Sequence, residues 1–168
     1  MRNRKAPAPG AARALPALML ALALCLCACG GPDAAQSVSR ALGIDAAGAE
    51  VLRCEDGHGG FHGDGTAYIV LHFPDGALLE QLRADGDWRA LPLDATAQAL
   101  AYGREEEDGR TGPYLDGVAL PAIDEGYYRL IDRQDGAEGN ILSRASFNFT
   151  LAIYDAAAQT LHFVQVDT

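Results

Sequence analysis

The chain has 168 residues, 49% hydrophobic and 21% charged, with 23 acidic against 13 basic side chains and a formal net charge of −10 at pH 7. That length suits one domain with a core of its own. The acidic balance excludes a nucleic-acid-binding role, because the phosphate contribution to such affinity needs clustered Lys and Arg.

The first residues, MRNRKAPAPGAARALPALMLALALCLCACGG, form a basic head (Arg2, Arg4, Lys5, Arg13), an apolar run from about Leu15 to Ala28, and a small-residue exit. This is the three-part layout of an export signal. The run, at about 14 residues, falls short of the ~20 that a helix needs to cross the hydrocarbon core. At its end, Leu26-Cys27-Ala28-Cys29-Gly30 places an aliphatic residue three positions before a cysteine and a small residue directly before it. In these residues the N-terminus resembles bacterial lipoproteins, with Cys27 standing where Ala, Ser or Thr is more common. Cys25 and Cys27 each follow a leucine and so lack the small residue that signal peptidase II requires.

The resemblance implies cleavage before Cys29, a thioether-linked diacylglycerol with palmitate-like acyl chains on that residue, and an extracytoplasmic domain held at the cell membrane. Two or more chains on one cysteine anchor stably, whereas one chain, at ~0.8 kcal/mol per buried methylene, holds only marginally. The chain then divides into a signal peptide (1–28), a lipidated tether (29–36) and a single globular domain (37–168). Loss of 1–28 removes four basic residues and no acidic ones, leaving 9 against 23, a net of −14, with no lysine. With Cys29 lipidated, Cys54 has no partner for an intramolecular disulfide, so stability must come from the core.

Beyond the tether, Asp33 or Ser37 can cap a short helix that runs toward Leu42 and ends at Gly43. GAEVLRCED alternates as a strand, and TAYIVLHF (66–73), rich in β-branched and aromatic residues, is the strongest strand signal. The glycine-rich connection between them predicts a β-hairpin. Leu78, Leu79 and Leu82 give an amphipathic helix stopped near Asp85-Gly86, and Trp88 is placed to seal the core behind it. Asp94 caps a second helix, ATAQALAYG, with Leu100 and Tyr102 inward. REEEDGRTG (104–112) reads as a charged loop, and Pro113 to Glu125 as irregular. GYYRLIDR, ASFNFTLAIYD and TLHFVQVD close the chain as a three-stranded meander. The fold class expected is α+β: about five antiparallel strands, an N-terminal hairpin plus the meander, with two or three short helices packed on one face.

The stretch HGGFHGDG (58–65) raises the one local question of chemistry. Cys54, His58 and His62 are spaced four and four apart with Asp64 close behind, so thiolate, imidazole and carboxylate ligands for a transition metal lie within a short span. A helix is costly there, at about 1 kcal/mol for each glycine relative to Ala. Ligands would have to converge from a bent loop, and a turn whose glycines supply unusual backbone angles is the competing reading. Cys54 with His58 or His62 is the only local nucleophile and base pair, and Glu55 and Asp56 oppose a thiolate beside it. His72 and His162 lie in strands and read as sheet residues. Neither acidic stretch follows the calcium-loop pattern.

The body, in HGGFHGDGTAYIVLHF, GPYL, GYYRLIDR and FNFTLAIYD, resembles small uncharacterised lipoproteins of Gram-positive bacteria, a resemblance that implies location and single-domain architecture but no activity. The expectation is a membrane-anchored, non-enzymatic binding or modulatory module with a protein partner at the cell surface. The alternative is a metal-binding or metal-dependent protein using Cys54, His58, His62 and Asp64.

Overall fold

The computed structural model of the chain describes residues 31–59, 63–107, 109–134, 136 and 139–168. The expected export signal (1–28), Cys29 and His62 lie outside the described residues.

The first element, α1 (Gly31–Leu42), turns Ala34, Val38 and Leu42 inward at intervals of four, all nearly inaccessible. It starts earlier than expected. Residues 31–36, assigned above to a tether, form its opening turns, because Ala34 extends the apolar stripe backward by one turn. Asp33 and Ser37 are therefore inside the helix and are not its caps. Gly43, at φ +68°, ends it, and its N–H donates to the Ser39 carbonyl at 2.8 Å.

β1 (Glu50–Asp56) and β2 (Gly65–His72) pair antiparallel as the expected hairpin. The register runs Val51↔Leu71 and then Arg53↔Val70, leaving Leu52 as the extra residue of a bulge. α2 (Ala77–Ala84) buries Leu78 and Leu82, and Trp88 follows into the same core. After the two-residue β3 (Arg89–Ala90), Asp94 caps α3 (Ala95–Tyr102), accepting from the Ala97 N–H at 2.9 Å. β6 (Gly126–Asp132), β7 (Asn148–Asp155) and β8 (Thr160–Asp167) form the meander, with a 3-10 turn (Ile141–Ser143) before β7.

Between α3 and β6 the charged stretch is not a loop but a hairpin, β4 (Arg104–Glu106) and β5 (Gly109–Thr111). Its residues are almost all exposed, so no hydrophobic alternation marks it. Main-chain pairing holds it instead, with the Arg110–Glu105 ion pair across the two strands and an Arg104–Glu106 pair within β4.

The main sheet has six antiparallel strands in the order β1-β2-β8-β7-β6-β3. The N-terminal hairpin thus joins the C-terminal meander along β2 and β8, paired from Gly65↔Asp167 to His72↔Thr160. Both faces of this sheet are covered, which corrects the expectation of helices on one face. Ile69, Leu71, Ala152, Tyr154, Leu161 and Phe163 pack under α1 and α2 with Trp88. On the opposite face, Tyr68, Val70, Phe149, Leu151, Ile153, Val164 and Val166 pack under α3 and the segment carrying Leu115. The physical reason is visible in β7, whose Ala152 and Tyr154, on the face opposite Leu151 and Ile153, are as buried as those two. A strand apolar on both sides needs cover on both.

Candidate functional site

Where β1 gives way to the glycine-rich connection, the chain closes tightly. The Gly57 N–H donates to the Thr66 carbonyl at 2.9 Å, extending the hairpin ladder by one pair beyond Asp56↔Ala67. Across that junction lies Gly65, where a Cβ would stand 2.6 Å from the His58 Cα and 2.7 Å from the Gly57 carbonyl oxygen. No side chain fits at that distance, so a glycine is required at 65 by close approach of two backbones.

The fold then fixes His58, which is half-buried. Its Nδ1 lies 2.6 Å from Asp56 Oδ1, the same oxygen that accepts from the His58 backbone N–H at 2.9 Å. These bonds, first from the backbone N–H and then from the ring, hold the Asp56 carboxyl below the usual carboxylate range. On the other side, His58 Nε2 lies 3.1 Å from Asp167 Oδ2, near the end of β8. Asp167 also accepts from Arg133 Nη2 at 2.6 Å and from Gln165 Nε2 at 3.1 Å, and the same Arg133 nitrogen donates to the Val166 carbonyl at 3.0 Å. A row of alternating partners, Asp56, His58, Asp167 and Arg133, ties the hairpin connection to β8 and to the end of β6.

Two hollows flank this row. One, of about 340 Å³, opens beside α1 and is walled by Ser37, Cys54, Asp56, His58, Ile69 and Phe163 among others. The second, of about 550 Å³, lies on the α3 side of the sheet and carries Asp64, Asp116 and Asp167 together with Tyr114 and Phe147, whose rings are 4.7 Å apart. An acidic rim over an aromatic wall suits a cationic group, which gains from both the carboxylates and the ring faces.

The proposed ligand set is therefore divided. Cys54 and His58 reach the first hollow and Asp64 the second, while His62 lies outside the described residues. Among the described residues no group of three or more His, Cys, Asp or Glu side chains is placed to hold a metal ion. His58 has both ring nitrogens directed at carboxylate oxygens, so it would have to surrender one of these contacts to ligate. Cys54 is exposed on β1, an edge strand, beside the hollow that opens next to α1.

The remaining histidines behave as sheet residues. His162 is buried and shares a 2.8 Å hydrogen bond between its Nδ1 and the Tyr68 hydroxyl, and burial holds its imidazole below the ordinary histidine range, against a weaker opposing effect from Asp155. His72 is half-buried at the far end of β2.

Sequence reasoning missed Asp167, Arg133, Asp116 and the Tyr114–Phe147 pair. They lie 49 or more residues from the HGGFHGDG stretch and reach it only through the β2–β8 pairing and the 112–118 segment. No family model, curated protein or solved structure matches the chain.

Proposed function

We propose that the protein is a lipid-anchored extracytoplasmic lipoprotein whose folded domain is a non-enzymatic binding module for a basic partner protein at the cell surface. The observation that carries this reading is the Leu26-Cys27-Ala28-Cys29 sequence behind a basic head and a short apolar run. With a diacylglycerol on Cys29, only Gly30 separates the anchor from α1, so the domain sits against the headgroups with a reach of a few ångströms. No described helix is long and apolar enough to cross a membrane.

Charge and shape support the choice of partner. Eight of the nine arginines beyond residue 28 are already paired with carboxylates of the same fold, so the acidic excess has little internal neutralisation. Such a surface raises the encounter rate with a basic protein and repels nucleic acid and anionic lipid. The hollow bearing Asp64 and Asp116 offers an incoming Arg or Lys side chain both carboxylates and aromatic faces, the Asp167 carboxylate being held already by Arg133 and Gln165.

Cross-linking on intact cells followed by affinity capture tests this reading. A partner with a basic surface should be captured by the wild-type chain and lost with Asp64→Asn/Asp116→Asn. Equal capture by both chains would remove the acidic hollow as the binding surface.

A further inference from the structure

β1 is one of the two outermost strands of the six-stranded sheet, and among the described residues its open side is a row of unused main-chain groups. Which residues face that side follows from the hairpin ladder. Gly57 donates to Thr66 directly opposite, so Gly57/Thr66 is a hydrogen-bonded pair. Bonded and non-bonded pairs alternate in an antiparallel ladder. Glu55/Tyr68 and Arg53/Val70 are therefore bonded pairs, whereas Cys54 and Asp56, opposite Ile69 and Ala67, turn their N–H and C=O groups outward. No main-chain hydrogen bond from another described element takes these groups up. The bulge at Leu52 limits the regular part of the edge to the residues after it, and Leu52 is the one exposed large hydrophobic side chain among the described residues, at 56%.

We propose that two copies of the chain join edge to edge through β1, antiparallel, about a two-fold axis at Cys54. The occupant of the edge is a second copy because the strand is complementary to itself in this register alone. An axis at Arg53 would set two guanidinium groups against each other, and an axis at Glu55 or Asp56 would set two carboxylates against each other. With the axis at Cys54, Arg53 of each copy stands opposite Glu55 of the other, twice, and the outward main-chain groups of the two Cys54 residues meet as a bonded pair. Arg53 and Glu55, which already bond within one strand at 2.7 Å, then form an alternating square of four charges across the axis.

This register brings the two exposed thiols together on the α1 side of the sheet. A bonded antiparallel pair has Cα atoms about 5.5 Å apart, inside the roughly 4.4–6.8 Å span of disulfides, and its Cβ atoms, about 5.5 Å apart, must close toward about 4 Å by local twist of the two edges as the bond forms. Given a disulfide oxidant, one Cys54 thiolate attacks its S–S bond, forms a mixed disulfide and releases one thiol. The second Cys54 thiolate then displaces the other thiol. One S–S bond forms and one breaks, and the oxidant carries away two electrons and two protons as two thiols. Persistence of the bond in cells rests on the extracytoplasmic location proposed above, but the pairing does not, and it is tested outside the cell.

The experiment uses the full chain in detergent with Cys25, Cys27 and Cys29 replaced by alanine, and follows covalent dimer formation with oxidised glutathione on non-reducing gels. Arg53→Glu and Glu55→Arg should each slow dimer formation by roughly fivefold, since each sets like charges opposite twice, and the double exchange should restore the rate to within about twofold. Moving the thiol one position, with Cys54→Ala/Glu55→Cys, should also slow it. Random collision of exposed thiols would give rates indifferent to charge reversal and to thiol position. That result, failure of the double exchange to recover, or absence of a covalent dimer would each overturn the Cys54-centred pairing.

Discussion

Gly65 and His162 each do a job that no neighbouring residue duplicates, and both give tests at the level of one side chain. At Gly65 a methyl group would lie 2.6 Å from the His58 Cα, with backbone on both sides and no flexible side chain to yield. Gly65→Ala should destabilise the fold by about 1–3 kcal/mol, the usual cost of forced overpacking, and urea unfolding measures it. An unchanged midpoint would mean that the hairpin end opens freely. For His162 the sign follows from burial, which lowers its folded pKa, so the neutral ring is favoured in the native state. Stability is full above the unfolded value near ~6.5 and is lost as pH falls from there through the lower folded value, because the unfolded chain takes up a proton that the native one resists. The melting temperature should drop between pH 7 and pH 5, and His162→Gln should flatten that slope. Both histidines lay in plain view in the sequence, but the partners that give them meaning did not. Asp167 lies 109 residues from His58, and Tyr68 lies 94 from His162.

Among the elements, legibility tracks the strength of local patterning. β2, β7 and β8 declared themselves through β-branched and aromatic runs, and α3 through Asp94 and Gly103 at its ends. Asp94→Ala removes the oxygen that accepts from Ala97 and also the 2.6 Å partner of Arg89. A loss of about 1 kcal/mol in thermal or urea unfolding is expected, with most of it from the cap, since the Arg89 pair is solvent-exposed. No loss would mean that α3 is held by packing alone. The elements that escaped reading are those whose stabilisation is not local. β3 is two residues long and exists only because Tyr127 and Tyr128 of β6 pair with it. β4 and β5 carry no apolar alternation, and the first turns of α1 are secured by Ala34 against the core. Placement of helices on both faces was hidden because an alternating pattern marks two sides of a strand without saying that both are dry.

Among the described residues the molecule is a sheet buried on both sides, with β1 and β3 at its two edges and an acidic, aromatic-walled hollow at the connecting end of the β1–β2 hairpin. The fold class was readable because the order of strands and helices was. The candidate site was readable only in part, since HGGFHGDG supplied one wall and β8, β6 and the 112–118 segment supplied the others. What was first a question about a metal resolves, for the described residues, into a clasp of carboxylates, imidazole and guanidinium that holds the hairpin closed. The lipidation of Cys29 is the claim on which the proposed function stands. Intact-mass and peptide mass spectrometry of the chain extracted from cell membranes tests it most directly. The account predicts a chain beginning at Cys29 whose N-terminal peptide carries a diacylglyceryl group, and a Cys29→Ala chain that leaves the membrane fraction. A membrane-extracted chain that retains residues 1–28, or begins at Cys29 without the lipid, would contradict it.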